Sequence, residues 1–264
     1  MPENCISAFH GLTEKPDRKK FHMHTHDRYE IFCFLSGDAK YYIEGTVYPL
    51  RPRDILLIKK GEAHTLLISK VVPYERIVVN FDRSALCGET AQELLVFLDN
   101  RPLGQSNCYP ALNHPNRNWQ FYLDNICHAP SLGEKQLYLT VLLQELYRES
   151  PAAPDYHAAH NIIKQLLDYI NDHLCDDINL DALCNSFHIS KTHINRIFKK
   201  YTGSTVWEYI KIKRLLRAKT LLQEGLRPTA VCAICGFHDY SAFYYAYRAK
   251  FGVSPKSHRA KSIN

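Results

Sequence analysis

"INLDALCNSFHISKTHINRIFKKYTG", Ile178 to Gly203, is the stretch whose reading decides how the second half of this chain folds. Leu180, Leu183 and Phe187 fall at steps of three and four, the spacing of a short amphipathic helix. His188, Ile189 and Ser190 interrupt that period, and Ser190 carries the hydroxyl needed to cap a second helix running towards Tyr201. Gly203 can adopt the left-handed conformation that stops it. Within the second helix Ile194, Ile197 and Phe198 share an inward face, which leaves Lys191, Thr192, Asn195, Arg196, Lys199 and Lys200 outward. Such a basic face suits a DNA major groove, where Arg and Asn can bond base edges bidentately while Lys meets phosphate.

The pattern recurs in "RPTAVCAICGFHDYSAFYYAYRAKFG", Arg227 to Gly252. Pro228 can open a helix, Gly236 makes the turn, Asp239 can cap the next helix, and Phe243, Tyr247 and Phe251 supply its apolar anchors. Between the two units "TVWEYIKIKRLLRAKTLLQ", Thr205 to Gln223, places Val206, Tyr209, Ile212, Leu215, Ala218 and Leu222 at helical steps. One continuous helix of that length spans roughly 28 Å, close to the roughly 34 Å between successive major-groove faces. The charge agrees. Residues 184–264 hold 15 Lys and Arg against 3 Asp and Glu, a balance of +12, while residues 1–156 hold 17 against 19, a balance of −2. A field of one sign confined to one end attracts a polyanion.

Upstream the period changes. "YEIFCFLSG", "AKYYIEGTVYPL", "RDILLIKKG", "HTLLIS" and "YERIVVNFD", between about residues 20 and 82, are short runs rich in Ile, Val, Tyr and Phe, and Glu44-Gly45 fits a tight hairpin. Several short strands without intervening helices predict a closed or double-sheet β-barrel. "ETAQELLVFLDN", "NRNWQFYLDNICHA" and "EKQLYLTVLLQELYRE" then read as helices, and the proline-containing "ESPAAPDYH", Glu149 to His157, reads as a linker. The nine cysteines are scattered, which argues against a disulfide framework, and Cys232 and Cys235, despite their CxxC spacing, read as small buried helix residues. The start has no charged flank ahead of an apolar run, and no apolar segment approaches the roughly 18 residues of a membrane span, so a cytoplasmic protein that does not enter the membrane is expected.

"HMHTHDRYE", His22 to Glu30, bears the densest cluster of chemistry. Residues two apart on a strand share a face, so His24, His26 and Glu30 could converge inside a barrel, with His64 joining from another strand; His22 is expected to be exposed. Three imidazoles and a carboxylate suit zinc, iron, nickel or manganese.

"ISKTHINRIFKKYTGSTVWEYIKIKRLLRAKTLL" followed by "CGFHDYSAFYYAYRAKFGVSPKSHR" resembles the AraC/XylS family of bacterial transcription regulators. The resemblance implies that Thr192, Asn195 and Arg196 of the first recognition helix approach bases. It places Tyr240, Ser241, Ala242 and Tyr245 at the corresponding positions of the second. Tyr245 stands where the family commonly has Arg, which leaves phosphate anchoring there to Arg248 and Lys250; His258 stands for a common Tyr, and Cys232 for a usual Ala. Tyr247 is expected in the core, Tyr240 outside it. The His-x-His, Glu30, Gly37 spacing resembles the cupin fold, with His64 kept but Arg53, Lys59 and Ile68 where Gly, Pro and Asn are usual.

Together with "YEIFCFLSGDAKYYIEGTVYPLRPRDILLI", this looks like the sensor barrels fused to AraC-type domains, whose pocket holds a small effector such as a sugar or related metabolite. The expected fold is therefore two-domain α+β. A cupin-like barrel over residues 1–83 precedes connector and dimerisation helices over 84–150. A linker over 151–156 leads to an all-α domain over 157–264 with two helix-turn-helix motifs joined by a long helix. The expected effector pocket comprises His24, His26, Glu30, Tyr42 and His64, with no cofactor and no catalytic residue. The alternative is a metal held by His24, His26, Glu30 and His64, and with it a cupin-type metalloenzyme whose basic end is incidental. The DNA-contacting set is Ser190, Lys191, Thr192, Asn195, Arg196, Lys199, Lys200, Asp239, Tyr240, Ser241, Ala242, Tyr245, Arg248 and Lys250. Expected partners are double-stranded promoter DNA, a small-molecule effector and a second copy of the chain, with RNA polymerase a further candidate.

Overall fold

The run "YEIFCFLS" is buried on both faces, and that fact organises the N-terminal half. In the computed structural model, which describes residues 5–17, 21, 23–86, 88, 90–149, 162–202 and 204–259, the chain divides into two compact units, residues 1–160 and 161–264. The first contains β1 (Ile6–Thr13), β2 (Tyr29–Ser36), β3 (Ala39–Ile43), β4 (Thr46–Pro49), β5 (Ile55–Ile58), β6 (His64–Ile68), β7 (Tyr74–Phe81) and β8 (Cys108–Tyr109). It also contains α1 (Thr90–Asp99), α2 (Trp119–His128) and α3 (Leu132–Arg148). The strands form a five-stranded sheet of order β1-β7-β2-β5-β8 and a three-stranded sheet of order β4-β3-β6. This is the double-sheet form of the expected architecture.

Alternation along the strands separates two cores, because successive side chains point to opposite faces. Tyr29, Ile31 and Cys33 of β2, with Ile55, Leu57, Ile77, Val79 and Phe81, pack against helix residues including Leu94, Leu98, Leu123, Leu139 and Leu146. Phe32 and Phe34, with Leu56 and Ile58, point the other way and meet Tyr41, Ile43, Tyr48, Leu66 and Ile68 of the smaller sheet. The helices over 90–148 thus share one core with the large sheet. The hairpin at Glu44-Gly45 is present, with both residues at positive φ (45° and 89°) as a two-residue turn between twisted strands requires.

Strand β1 was not anticipated from the sequence. It pairs antiparallel with β7 along its whole length, from Ile6 opposite Phe81 to Thr13 opposite Tyr74. As an edge strand it leaves Phe9 and Leu12 exposed and buries only Ile6, so it lacks the alternation that marks a half-buried strand. A buried acid fastens the other margin. Glu62 accepts hydrogen bonds from the Lys59 and Gly104 amides and from Asn107 Nδ2, and lies 3.5 Å from Arg101 Nη2.

The second unit contains α4 (Ile162–Asp172), α5 (Leu180–Phe187), α6 (Lys191–Thr202), α7 (Val206–Gln223), α8 (Pro228–Ile234), α9 (Tyr240–Phe251) and α10 (Pro255–His258). The anticipated caps are in place. Ser190 Oγ accepts from His193 N, Asp239 Oδ1 from Ala242 N, and Pro228 occupies the first turn of α8. Helix α7 begins with a capping box between Thr205 and Glu208. Cys232 and Cys235 are buried free thiols packed with Leu215, Leu222, Phe243 and Tyr247, as small core residues. Arg214 ties the unit together by donating to the backbone carbonyls of Leu174, Asp176 and Gly236. Gly236 sits at φ 74°, where an added Cβ would lie 2.8 Å from Cys175 O. His22, Gly203 and the expected linker over 151–156 lie outside the described residues.

Replacing Glu62 by Ala would leave Arg101 a buried charge without its counter-ion, and such losses cost about 3 to 5 kcal/mol. Urea unfolding followed through the N-terminal unit should show the transition at lower denaturant in Glu62→Ala.

Candidate functional site

The inward face of β2 carries one charge, Glu30, into the space between the two sheets. A cavity of about 210 Å³ opens there, walled by Phe21, Phe32, Tyr41, Leu66, Tyr74 and Val78, with His24, Glu30, Thr65 and Arg76 as its polar groups. Glu30 is buried, and its two oxygens are used separately. Tyr41 donates its hydroxyl to Oε1 at 3.2 Å, while Oε2 lies 3.2 Å from His26 Nε2 and 3.9 Å from His64 Nε2. Burial opposes ionisation of Glu30, but the His26 hydrogen bond and the surrounding imidazoles outweigh it and hold the carboxyl below its usual range. Burial pushes the His64 imidazole down to about 4, despite the attraction of Glu30, so the ring is neutral near pH 7. Burial also raises the Tyr41 hydroxyl well above its usual range, which keeps it a hydrogen-bond donor.

The imidazoles are positioned by backbone. His24 and His64 form an antiparallel bridge, each amide donating to the other's carbonyl at 3.0 and 2.9 Å, which brings the segment before β2 against β6. His26 Nδ1 donates to Arg28 O and His64 Nδ1 to Glu62 O, at 2.9 and 2.8 Å. The ring centroids of His24 and His26 then lie 4.3 and 4.9 Å from that of His64. His24, His26, Glu30 and His64 thus converge as their spacing suggested. Tyr42 does not join them. It is fully buried on the opposite face of β3, and its neighbour Tyr41 lines the cavity instead, because each step along a strand reverses the side chain. Arg76 and Tyr74, on β7, were also missed; their segment is apolar enough to read as core, and only the sheet order sets β7 beside β2.

The second candidate site is the outer surface of α6 and α9. Along α6, Ile194 and Phe198 are fully buried while Lys191, Thr192, Arg196 and Lys199 are exposed and Asn195 is half-buried. Lys191 is committed to Asp181 on the preceding helix at 2.7 Å. The Lys200 side chain lies outside the described residues. Along α9, Phe243 and Tyr247 are buried, and Tyr240, Ser241, Ala242, Tyr245, Arg248 and Lys250 are exposed, Tyr245 by 69%. Ser190 and Asp239 are engaged as caps, so their side chains orient the helices. His258, where a tyrosine is common, accepts or donates a 2.7 Å bond with the Tyr247 hydroxyl and so helps fix α9 against α10. Lys213 is buried, with its ammonium 5.7 Å from the Tyr209 ring centroid.

The chain matches two family models in succession: the AraC-like ligand binding domain over residues 8–106 and a helix-turn-helix domain over residues 183–261. It is similar to the HTH-type transcriptional activator RhaR of Pectobacterium atrosepticum, at 24% identity over 96% of this chain and 91% of that protein. It is also similar to the HTH-type transcriptional activator RhaS of Escherichia coli, at 30% identity over 49% of this chain and 47% of that one. Among solved structures, ToxT from Vibrio cholerae aligns over 96% of both chains at 14% identity with a TM-score of 0.41, too slight a likeness to bear on the sites.

Replacing Tyr41 by Phe removes the donor from Glu30 Oε1 inside the cavity, a loss of about 1 to 3 kcal/mol for a buried charged acceptor. Thermal unfolding of Tyr41→Phe should start at lower temperature than that of the parent protein.

Proposed function

We infer that this chain, an AraC-family transcription regulator with an N-terminal ligand-binding domain and a C-terminal helix-turn-helix domain, reads promoter DNA with α6 and α9 in response to a small molecule held beside Glu30. It is a DNA-binding regulator that senses an effector, and not an enzyme; its relatives are transcriptional activators. Among the described residues no helix is long and apolar enough to cross a membrane.

The observation that carries the DNA reading is the split of each second helix into a buried apolar face and an exposed face of DNA-compatible groups. Helix α7, 18 residues long, spans about 27 Å between the two helix-turn-helix pairs of one unit, comparable to one turn of B-DNA. Thr192, Asn195 and Arg196 are the base-reading groups of α6, and Lys199 and Lys200 meet phosphate with Lys191. On α9 the base-facing groups are Tyr240, Ser241, Ala242 and Tyr245, which favour apolar and hydroxyl contacts, with Arg248 and Lys250 as phosphate anchors. Ser190 and Asp239 act as caps that fix the first turn against the duplex.

In the ligand-binding domain the effector occupies the inter-sheet cavity. Its mixture of aromatic walls with a carboxylate, an imidazole and a guanidinium suits a small polar metabolite such as a sugar. The barrel over 1–83 and the helices over 84–150 act together, because they share a core, and the helices provide the dimer surface. Val96, Phe121, Leu137, Val141 and Tyr147 are exposed apolar residues on α1 to α3, with Leu137 and Val141 one helical turn apart on the same face. The effector shifts the equilibrium between two arrangements of the chain by binding one more tightly. RNA polymerase is the partner through which an activator of this kind would act.

Selection of bound sequences from genomic DNA should return one motif. Arg196→Ala should lose about 1 to 3 kcal/mol at a single base pair and relax the motif there, and an unchanged motif and affinity would remove Arg196 from the base-reading set. Lys199→Ala should weaken all sequences alike and reduce the slope of log affinity against log salt by about 1. For the dimer, Leu137→Glu should convert the protein to monomer in sedimentation equilibrium while its circular dichroism stays that of the parent.

A further inference from the structure

We propose that the ligand-binding domain holds a second small-molecule site, across the large sheet from Glu30, for an organic carboxylate with a compact apolar body. A cavity of about 390 Å³ opens there between the turn joining β4 to β5 and the start of α2, a size that suits a small ligand. Cys33 lies at its floor, and Pro52, Leu112, Pro115 and Trp119 supply its apolar wall. Cys33 belongs to the outward face of β2, whereas Glu30 and Phe32 point into the inter-sheet cavity, so β2 itself separates the two spaces.

The charged lining is basic. Arg51, Arg53, Arg117 and His114 border the cavity, and among the described residues no Asp or Glu does. Arg117 and His114 already hold one carboxylate, that of Glu149, with Arg117 Nε 2.8 Å from Oε1 and His114 Nδ1 3.2 Å from Oε2. Arg51 and Arg53 form no salt bridge among the described residues, and their planar forks match the oxygens of a second carboxylate. The buried Asp54 does not serve them as a counter-ion. It spends Oδ2 on the Arg51 amide and Oδ1 on the Ala111 amide, which ties the two lips of the cavity together.

Arg53 is held at φ 73°, a left-handed conformation that suits glycine, with its amide donated to Phe34 O. The strain puts a guanidinium at the mouth of the cavity. Burial pushes the Cys33 thiol up to about 12, with Asp124 and Asp54 adding to the rise, and Arg53 acts against it, so its charge is felt at the floor. Helix α2 opens onto the same space. Its N-cap, Asn118, lines the cavity and makes no side-chain cap bond, which leaves the first amides to a ligand or water. Trp119 Nε1 is buried without a hydrogen-bond partner, and an acceptor lodged against the ring would answer it. Inorganic phosphate would leave the apolar wall unused, and a neutral ligand would leave the guanidinium groups unanswered. A carboxylate on a ring or short chain meets both.

In a Trp207→Phe background the full chain keeps Trp119 as its one tryptophan, so emission reports on this cavity. Benzoate, phenylacetate and hexanoate are titrated, with benzamide, hexanamide and inorganic phosphate as counterparts, by emission and by calorimetry. We expect saturable binding of at least one carboxylate, one per chain, in the millimolar range or tighter, with the amides and phosphate at least about tenfold weaker. Arg53→Gly should lower that affinity about 10- to 100-fold while melting no lower than the parent, since glycine suits the φ it inherits. Arg51→Gln, at an exposed position free of backbone strain, should lower it alike and decides the matter if Arg53→Gly does not fold. No saturable carboxylate binding, binding that leaves Trp119 emission unchanged, or parent affinity in the variants would overturn the site. Amide or phosphate binding as tight as the carboxylate would overturn the ligand class.

Discussion

Strand β2 is covered on both faces, and the single charge it carries inward has to be answered by its neighbours. Its outward residues Tyr29, Ile31 and Cys33 close the core beneath the helices, so the strand cannot rotate to expose Glu30 without losing that core. Leaving an isolated carboxylate between two sheets would cost far more than one hydrogen bond returns. Tyr41 from β3, His64 from β6 and His26 from the segment preceding β2 therefore gather around one acid. The cavity is the space that these answers leave unfilled. A site of this kind is rigid by construction, since each group is held by a strand pairing or a backbone carbonyl, and rigidity is what allows a ligand to bias a two-state equilibrium.

The C-terminal unit solves the opposite problem, that of presenting charge instead of burying it. Its Lys and Arg excess can be turned to solvent only because Ile194, Phe198, Phe243 and Tyr247 anchor the inner faces of α6 and α9. Arg214 is an exception, as is the buried Lys213: Arg214 is a cation spent internally on three carbonyls that would otherwise need water. By clasping the loop after α4 and the turn at Gly236, it holds the second helix-turn-helix against the long helix. The close approach at Gly236 explains why a glycine stands there, since a side chain would collide with both Cys175 O and Arg214.

The helices were legible in the sequence because their information is local. Caps, turn residues and apolar steps lie within a few positions of one another, so Ser190, Gly236 and Asp239 could be placed before any packing was known. The strands β2 to β7 were equally visible as apolar runs. Strand β1 was not, because an edge strand with one buried residue carries no pattern of its own and exists only as the partner of β7.

The amino-acid sequence by itself determined the class of the molecule: a β-rich unit, a basic helical unit, two helix-turn-helix pairs, and a set of histidines fit for a ligand. Only the tertiary structure decided which tyrosine faces the cavity. Tyr41 and Tyr42 are identical in chemistry and adjacent in sequence, and a strand of period two gives one to each face according to a register fixed by its pairing with β4 and β6. It likewise decided how His64, expected from the sequence to join from another strand, meets His24, because the backbone bridge between them is a property of strand pairing and leaves no trace in local spacing.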